Sequence, residues 1–509
     1  MSQVKRNIVA NFIGRGWYAL MSLAFVPVYI KYIGIEAYGL VGVFATLQAL
    51  FSLLDFGVSA TMNREMARYS VQPDRAQQAR DLVRTLEAGY WGIGLVIGCT
   101  VLALSGPIAR DWVKAERLAP TTVQQAVVIM GAVIALQWPV SFYAGGLMGL
   151  QRQVLLNLIN AGLATLRGVG SVLVLWLVAP TIQTFFWWQL VISGLQTVLT
   201  AVFLWRNLPK MNQRPEFRLE LLKTVWRFAA GMSVLSFIIL VLSQLDRVIL
   251  SKVLSLSVFG YYSLAITVAS ALSIPMAPIS EALFPKLSQL AAQNDEPALR
   301  QLYHRGCQLS ALMLFPIASV LVLFSHEILV LWTGNPLIAA NVQSLMSVLA
   351  LGVALNYSVM GTLDQVLMAH GWLKPAVYSR LLALLALGPL MVVAALHYGA
   401  MGVAVLWLVI YVSYALFTPY FVFRRILHGE KRRWYLNDLG LPFMAAFGIA
   451  ALWRGLITVP TQKFAIILYL IAVLMTALFA AATIMNYTRQ LIRTIALKLA
   501  GRWRTVAES

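Results

Sequence analysis

The chain has 509 residues, of which 60% are hydrophobic and 11% charged, with 39 Lys+Arg against 19 Asp+Glu and a net charge of +20. An ordinary soluble domain carries roughly 25% charged residues, so composition excludes that class, and apolar sequence on this scale supplies many spans of about 20 residues for a ~30 Å hydrocarbon core. In such a chain the basic excess is first a matter of membrane sidedness, and nucleic acid is not an expected partner.

Taken along the chain, apolar stretches of spanning length lie at 7–31, 38–60, 86–109, 121–148, 154–179, 183–205, 224–250, 258–284, 305–330, 341–369, 376–398, 401–423, 441–457 and 464–486. The expected fold is an all-α polytopic membrane protein with about fourteen transmembrane helices. The first stretch follows Lys5 and Arg6 as a signal peptide would. It contains Arg15, however, outruns the usual 7 to 15 apolar residues and meets no A-x-A-like site before Tyr29 to Lys31, so it reads as a retained span. Of the basic residues, 27 fall at the N-terminus and at the exits of even-numbered helices, whereas seven (Lys31, Arg110, Lys114, Arg117, Lys252, Arg454 and Lys463) fall on the other side. This asymmetry predicts cytoplasmic termini. The basic segments 64–84 and 489–504 are suited both to fixing topology and to meeting anionic headgroups. Cys99 and Cys307 lie in or beside apolar helices and suggest no disulfide framework.

The chain also matches itself at an offset of about 220 residues. Lys31–Gly39 (KYIGIEAYG) aligns with Lys252–Gly260 (KVLSLSVFG), and Leu147-Met148 with Leu367-Met368. The expected organisation is an N-terminal lobe of helices 1 to 6 (1–210), a basic linker (211–223), a C-terminal lobe of helices 7 to 12 (224–425), two additional helices (426–486) and a basic tail (487–509). Two repeated lobes with substrate bound at the repeat interface is a transporter plan.

Polar residues recur at helical spacing within several spans, which turns those faces toward protein or water. Helix 1 carries Asn7, Asn11, Arg15, Tyr18 and Ser22, and helix 2 carries Gln48, Ser52, Asp55, Ser59 and Asn63. Helix 5 has Asn157, Asn160, Arg167 and Ser171, and helix 6 has Gln189, Ser193, Gln196 and Thr200. Helix 7 has Ser233, Ser236, Ser243 and Arg247, and helix 8 has Ser263, Thr267, Ser270 and Glu281. Most single Ser, Thr, Asn or Gln residues read as interhelical glue. An Arg or Asp at a helix centre costs at least about 2.5–3.5 kcal/mol and calls for a partner or a wet cavity. Arg15 and Arg167 are therefore expected in a cavity, with Asn11, Tyr18, Ser52, Ser236 and Arg247 as further lining candidates. Arg227 and Arg380 lie near helix ends and are expected to snorkel. Asp55, Asp246, Glu281 and Asp364 are candidates for carrying a coupling ion or for pairing with an arginine. A cavity richer in Arg than in carboxylate suits an anion, and phosphate matches the bidentate guanidinium fork.

Several longer segments carry a family resemblance: VPVYIKYIGIEAYGL (Val26–Leu40), LLDFG (Leu53–Gly57) running on to Asn63-Arg64-Glu65, QLDRVILSKVL (Gln244–Leu254) followed by Phe259-Gly260-Tyr261-Tyr262, IPMAPISEALFPKL (Ile274–Leu287) and LWTGN (Leu331–Asn335). In this order and spacing the sequence resembles the Wzx-type polysaccharide (O-antigen) flippases of the multidrug/oligosaccharidyl-lipid/polysaccharide exporter superfamily, relatives of the lipid II flippases. The resemblance implies a MATE-like two-lobed helical bundle in the bacterial inner membrane that moves an undecaprenyl-pyrophosphate-linked oligosaccharide, an O-antigen or exopolysaccharide repeat unit, from the cytoplasmic to the periplasmic leaflet by alternating access. It implies Arg15, Asp55, Asp246, Arg247 and Glu281 as cavity residues, and membrane lipid and a polysaccharide polymerase with chain-length machinery as partners. Helices 13 and 14 would correspond to those that form a lipid-tail groove in lipid II flippases.

Two other functions compete. Drug or cation exporters of the same superfamily often place an acid in helix 1, where this chain has Arg15 and no carboxylate. A membrane polysaccharide polymerase, ligase or glycosyltransferase would usually need a large outer loop, but the longest here runs only from Arg110 to Pro120 and has no D-x-D. There is no P-loop, H-E-x-x-H or G-x-S-x-G, so a non-enzyme without cofactor or metal is expected.

Overall fold

The computed structural model describes residues 3–221, 241–372 and 374–485, together with Ile238 and Arg489. Ser236, Ser233 and Arg227, most of the expected basic tail and the first half of expected helix 7 lie outside the described residues. Among the described residues the fold is all-α; the one extended pairing is an isolated bridge between Lys114 and Ser255. Eleven stretches of the described residues are long and apolar enough to cross a membrane. The expected number of fourteen differs for local reasons. The first helix is too polar to qualify, expected helix 7 is only partly described, and Arg380–Arg425 is one continuous stretch containing a break at Gly399.

The chain begins with α1 (Gln3–Ala24) and α2 (Val26–Ser52), parted at Phe25, where Pro27 enters the first turn of α2. Pro lacks the N–H that would continue the preceding ladder, which favours a new start there. Within α2 the chain reverses at Gly34 (φ +82°), and in α15 (Lys374–Arg425) at Gly399 (φ +62°). Such left-handed backbone is open to glycine at little steric cost. Each long element is thus two helices joined tightly. After α2, a short 3₁₀ turn (Leu53–Asp55) leads into Phe56 and Gly57, both left-handed, before α3 (Val58–Tyr69). Expected helix 2 is therefore interrupted inside its polar stripe.

The elements that follow are α4 (Ala76–Pro107), α5 (Pro120–Gln137), α6 (Val140–Gly149), α7 (Gln153–Leu177), α8 (Ile182–Asn207), α9 (241–253) and α10 (Leu256–Ser270). Next come α11 (Met276–Ala292), α12 (Glu296–Leu323), α13 (Ser325–Thr333) and α14 (Pro336–Ala369). Then follow α15, the single-turn α16 (Lys431–Arg433), α17 (Leu441–Leu456) and α18 (Lys463–Ile484). α10 and α11 are separated by a second 3₁₀ turn, Ala271–Ser273, just before Pro275 and Pro278.

Packing divides the chain into two compact units: Met1–Ser263 with Arg380–Ala400, and Leu264–Ser379 with Met401–Ser509. In the first, α1 lies along α7, α7 against α8, α8 against α5 and α6, and α5 against α4. In the second, α12 is central and meets α14, α11, α17 and α18. Its largest buried side chain, Trp434, packs with Phe423, Tyr303 and Leu363 and fixes the entry to α17. The six-helix lobes are a topological proposal and are defined differently from these packing units.

One contact in the first unit bears on the repeat. A Cβ on Gly39 would lie 2.4 Å from the Leu256 carbonyl oxygen, and one on Gly260 would lie 2.4 Å from that of Ile35. Ile35 and Leu256, like Gly39 and Gly260, correspond under the alignment of Lys31–Gly39 with Lys252–Gly260. The two repeat-related helices thus meet reciprocally, as a local two-fold axis requires. Glycine is required at Gly39 and Gly260, where backbones come this close, and Gly42 approaches the side chain of its own counterpart, Ser263.

Candidate substrate cavity

The seam between α1 and α7 absorbs much of the helix 1 stripe. Asn7 Nδ2 donates to Gln151 Oε1 (3.3 Å), Asn157 Nδ2 donates to Asn11 Oδ1 (2.6 Å), and Trp17 Nε1 donates to Thr165 Oγ1 (2.9 Å). These are hydrogen bonds from α1 to α7 and to the turn that enters it, the ordinary role of polar residues in a bundle. Gly14 lets Asn157 approach, since a Cβ there would sit 2.3 Å from its Oδ1. Arg15, one residue on, is exposed.

Farther along the same seam a cavity of about 150 Å³ opens between α1, α2, α7 and α8. Tyr18, Ser22, Tyr29, Arg167 and Gln189 supply its polar groups, and Met21, Val41, Phe44 and Phe185 its apolar wall. No carboxylate is among the lining residues. Arg167 donates through Nη2 to Gln196 Oε1 (3.2 Å), a neutral acceptor, so its charge is not cancelled there. Gln189 is oriented by donating to Ser171 Oγ (3.0 Å).

Behind Arg167 runs a chain of amides drawn from four helices. Gln48 donates to Gln137 Oε1 (2.7 Å), Gln137 to Gln196 Oε1 (3.4 Å), and Gln196 to Asn160 Oδ1 (3.4 Å). Gln196 Oε1 is thus shared by Gln137 and Arg167, which fixes the guanidinium at the cavity wall. Such a site offers a planar array of N–H donors beside two phenols, a hydroxyl and an amide against an apolar wall, an arrangement that can receive an oxyanion.

Of the cavity residues expected from sequence, the structure brings Tyr18 and Arg167 together. Asn11 is in the α1–α7 seam, and Ser52 donates to Ala49 O of its own helix (2.6 Å). Arg247 donates to Gln244 Oε1 (3.4 Å) on α9, away from this cavity's lining. Asp55 is held by hydroxyls: Ser59 and Tyr90 both donate to Oδ1, with Ser141 at 3.5 Å. Asp246 is buried and accepts from Tyr262. Glu281 is exposed on α11 and Asp364 half-buried on α14, both in the second unit. Tyr29 and Gln137 were not in the polar stripes: Tyr29 sits in an aromatic-aliphatic run beyond the Phe25 break, and Gln137 is isolated in an apolar helix.

A model of the polysaccharide biosynthesis protein family matches residues 4–291, more than half of the chain, and one named MatE matches residues 232–393. The chain belongs to the polysaccharide biosynthesis protein family. This family member is 20% identical over 361 residues to a Shigella flexneri protein described as an O-antigen transporter, a match covering 71% of this chain and 83% of the relative. It is 26% identical over 366 residues to the lipopolysaccharide biosynthesis protein WzxC of Escherichia coli (strain K12), covering 70% of each. Among solved structures it resembles the lipid II flippase MurJ in an inward closed conformation, with a TM-score of 0.69 at 12% identity over 95% of this chain and 99% of that one. An inward-facing multidrug resistance MATE family transporter of the MOP superfamily gives 0.60 at 12% identity, covering 82% and 96%. These matches bear out the Wzx-type resemblance, the MATE-like all-helical fold, and a transporter rather than an enzyme in the membrane.

Proposed function

We propose that this polysaccharide biosynthesis protein is a flippase for an undecaprenyl-pyrophosphate-linked oligosaccharide, moving it from the cytoplasmic to the periplasmic leaflet of the bacterial inner membrane by alternating access. Both termini are then cytoplasmic, as the basic-residue asymmetry indicates. The observation that carries this reading is Arg167, a guanidinium bonded to a neutral amide and lining a carboxylate-free cavity with Tyr18, Tyr29 and Gln189. A cavity of about 150 Å³ suits a small anionic group better than a whole glycan. The proposed role of Arg167 is to hold a phosphate of the lipid-linked substrate while the sugars lie outside this pocket. Arg15, exposed on the same helix as Tyr18, would meet the substrate on its way in.

The test is transport by the purified protein in liposomes carrying a fluorescent undecaprenyl-pyrophosphate oligosaccharide, with a cationic dye as the competing substrate. The expected outcome is translocation of the lipid-linked glycan, lost in Arg167→Ala and partly retained in Arg167→Lys. Transport of the dye alone would instead favour the drug-exporter reading.

A further inference from the structure

The second unit buries an ionic cluster that substrate binding does not use. His304 on α12 is 2% exposed, and Asp438, in the π-wound stretch Trp434–Gly440 that enters α17, is 1% exposed. His304 Nδ1 is bonded to Asp438 Oδ2, and its Nε2 lies 3.0 Å from Glu430 Oε2. Both ring nitrogens therefore face a carboxylate.

The remaining contacts set hydrogen-bond donors and cations against those carboxylates. Asp438 Oδ1 accepts from Gln308 Nε2 at 2.8 Å, which leaves Oδ2 to His304. Glu430 faces two guanidinium groups, Arg433 at 3.7 Å and Arg300 at 4.0 Å. Where both acids act as acceptors, His304 donates from both nitrogens. A neutral imidazole has one N–H and would turn a lone pair toward a carboxylate. The two acids sit at opposite nitrogens and do not converge on one point, so the geometry suits a proton and not a metal ion. The other titratable groups near the cluster are Tyr303 and Cys307 on α12, Tyr435 beside Trp434, Tyr414 on α15, and Glu296, which pairs with Arg300 at 2.8 Å; α14 contributes apolar side chains such as Leu363 and Val366, and α15 Phe423.

We propose that His304, Asp438 and Glu430 form a proton-binding site, an imidazolium held between two carboxylates, that latches the entry of α17 onto α12 and releases it when the proton leaves. Loss of the proton would set a lone pair against an anion in a buried site, and the segment at 430–440 is what can move away. The opening equilibrium of that segment then rises with pH, because the latched state holds one proton more than the open one; one proton corresponds to about tenfold per pH unit.

The test uses the full-length protein in nanodiscs. With ¹⁵N-histidine labelling, His304→Gln identifies the His304 resonances among the five histidines. Both ring nitrogens should show protonated-type shifts at neutral pH, and a nitrogen carrying a lone pair would overturn the proposal. Independently, hydrogen exchange of residues 430–440, corrected for the intrinsic pH dependence of the chemistry, should show opening that rises about tenfold per pH unit where the latched state keeps the proton and the open state does not, and that levels off once the latched state loses it too. That dependence should flatten in Asp438→Asn and in Glu430→Gln, the second being a half-buried position that the fold tolerates more readily. Wild type and Glu430→Gln following the same pH profile would defeat the latch.

Discussion

Each unit holds a polar network, half-buried in the first and largely buried in the second, and the two differ in how their charge is met. In the second, His304, Asp438 and Glu430 answer one another, with Arg300, Arg433 and Gln308 completing the set. In the first, Gln48, Gln137, Gln196 and Asn160 form a neutral chain ending on Arg167, which faces a cavity. A locally matched cluster has its charges committed to holding two elements together. A cation bonded, among the described residues, to a neutral amide keeps its field for something that enters. Buried charge alone therefore does not mark a binding site; the sign and completeness of its surroundings do.

The comparison breaks most visibly if the cluster is opened. Asp438→Ala leaves a buried imidazolium without its main partner, and removing one member of such a pair costs about 3–5 kcal/mol. Thermal unfolding in detergent should show this as a clear loss of stability, and an unchanged melting temperature would mean that the cluster holds nothing. At the other network the loss should fall on transport instead. Arg167→Ala removes charge-assisted hydrogen bonds worth about 1.5–3 kcal/mol, so translocation in liposomes should drop on the order of 10- to 100-fold while the melting temperature stays near wild type. Arg167→Lys should fall between, since an ammonium keeps the charge but loses the planar fork. Arg15→Ala should cost less than Arg167→Ala; the reverse ranking would move the anion site away from this cavity.

How far the sequence reached depended on the kind of information. Hydropathy marked the spans, because crossing lipid imposes length and composition directly. It missed the breaks at Phe25 and Phe56-Gly57, which depend on local backbone conformation. Helical spacing found Arg167, Tyr18, Gln189 and Gln196, but it set Arg15 beside Arg167 without distinguishing them, because depth along a helix does not say which neighbour occupies that face. Tyr29 comes from beyond a helix break, and Gln137 stands alone in its helix, so neither belongs to a periodic pattern. The cluster at His304 joins residues more than 100 positions apart, and nothing local in either segment announces the other. The reciprocal packing of Gly39 and Gly260 was visible as a repeat before it was visible as a contact.

Between the large effects lies the amide chain, which sharpens the contrast by testing whether neutral groups position the cation. Gln196→Leu removes the acceptor shared by Gln137 and Arg167 without removing the charge. The expected result is a several-fold loss of translocation, about 1 kcal/mol for one lost hydrogen bond, and a weaker affinity for the pyrophosphate lipid in a binding assay. Unchanged transport would show that Arg167 holds its position through packing alone.

The smallest effect is expected in the α1–α7 seam. Asn11→Ala removes the acceptor of the 2.6 Å bond from Asn157, but Asn157 Nδ2 also donates to Gln153 O at 2.8 Å, so no donor is orphaned. Interhelical hydrogen bonds in membrane bundles average about 0.6 kcal/mol, and the melting temperature and transport should both stay close to wild type. A loss of transport in Asn11→Ala as large as that in Arg167→Ala would mean that the seam itself moves during the cycle and that Asn11 belongs with the substrate path after all.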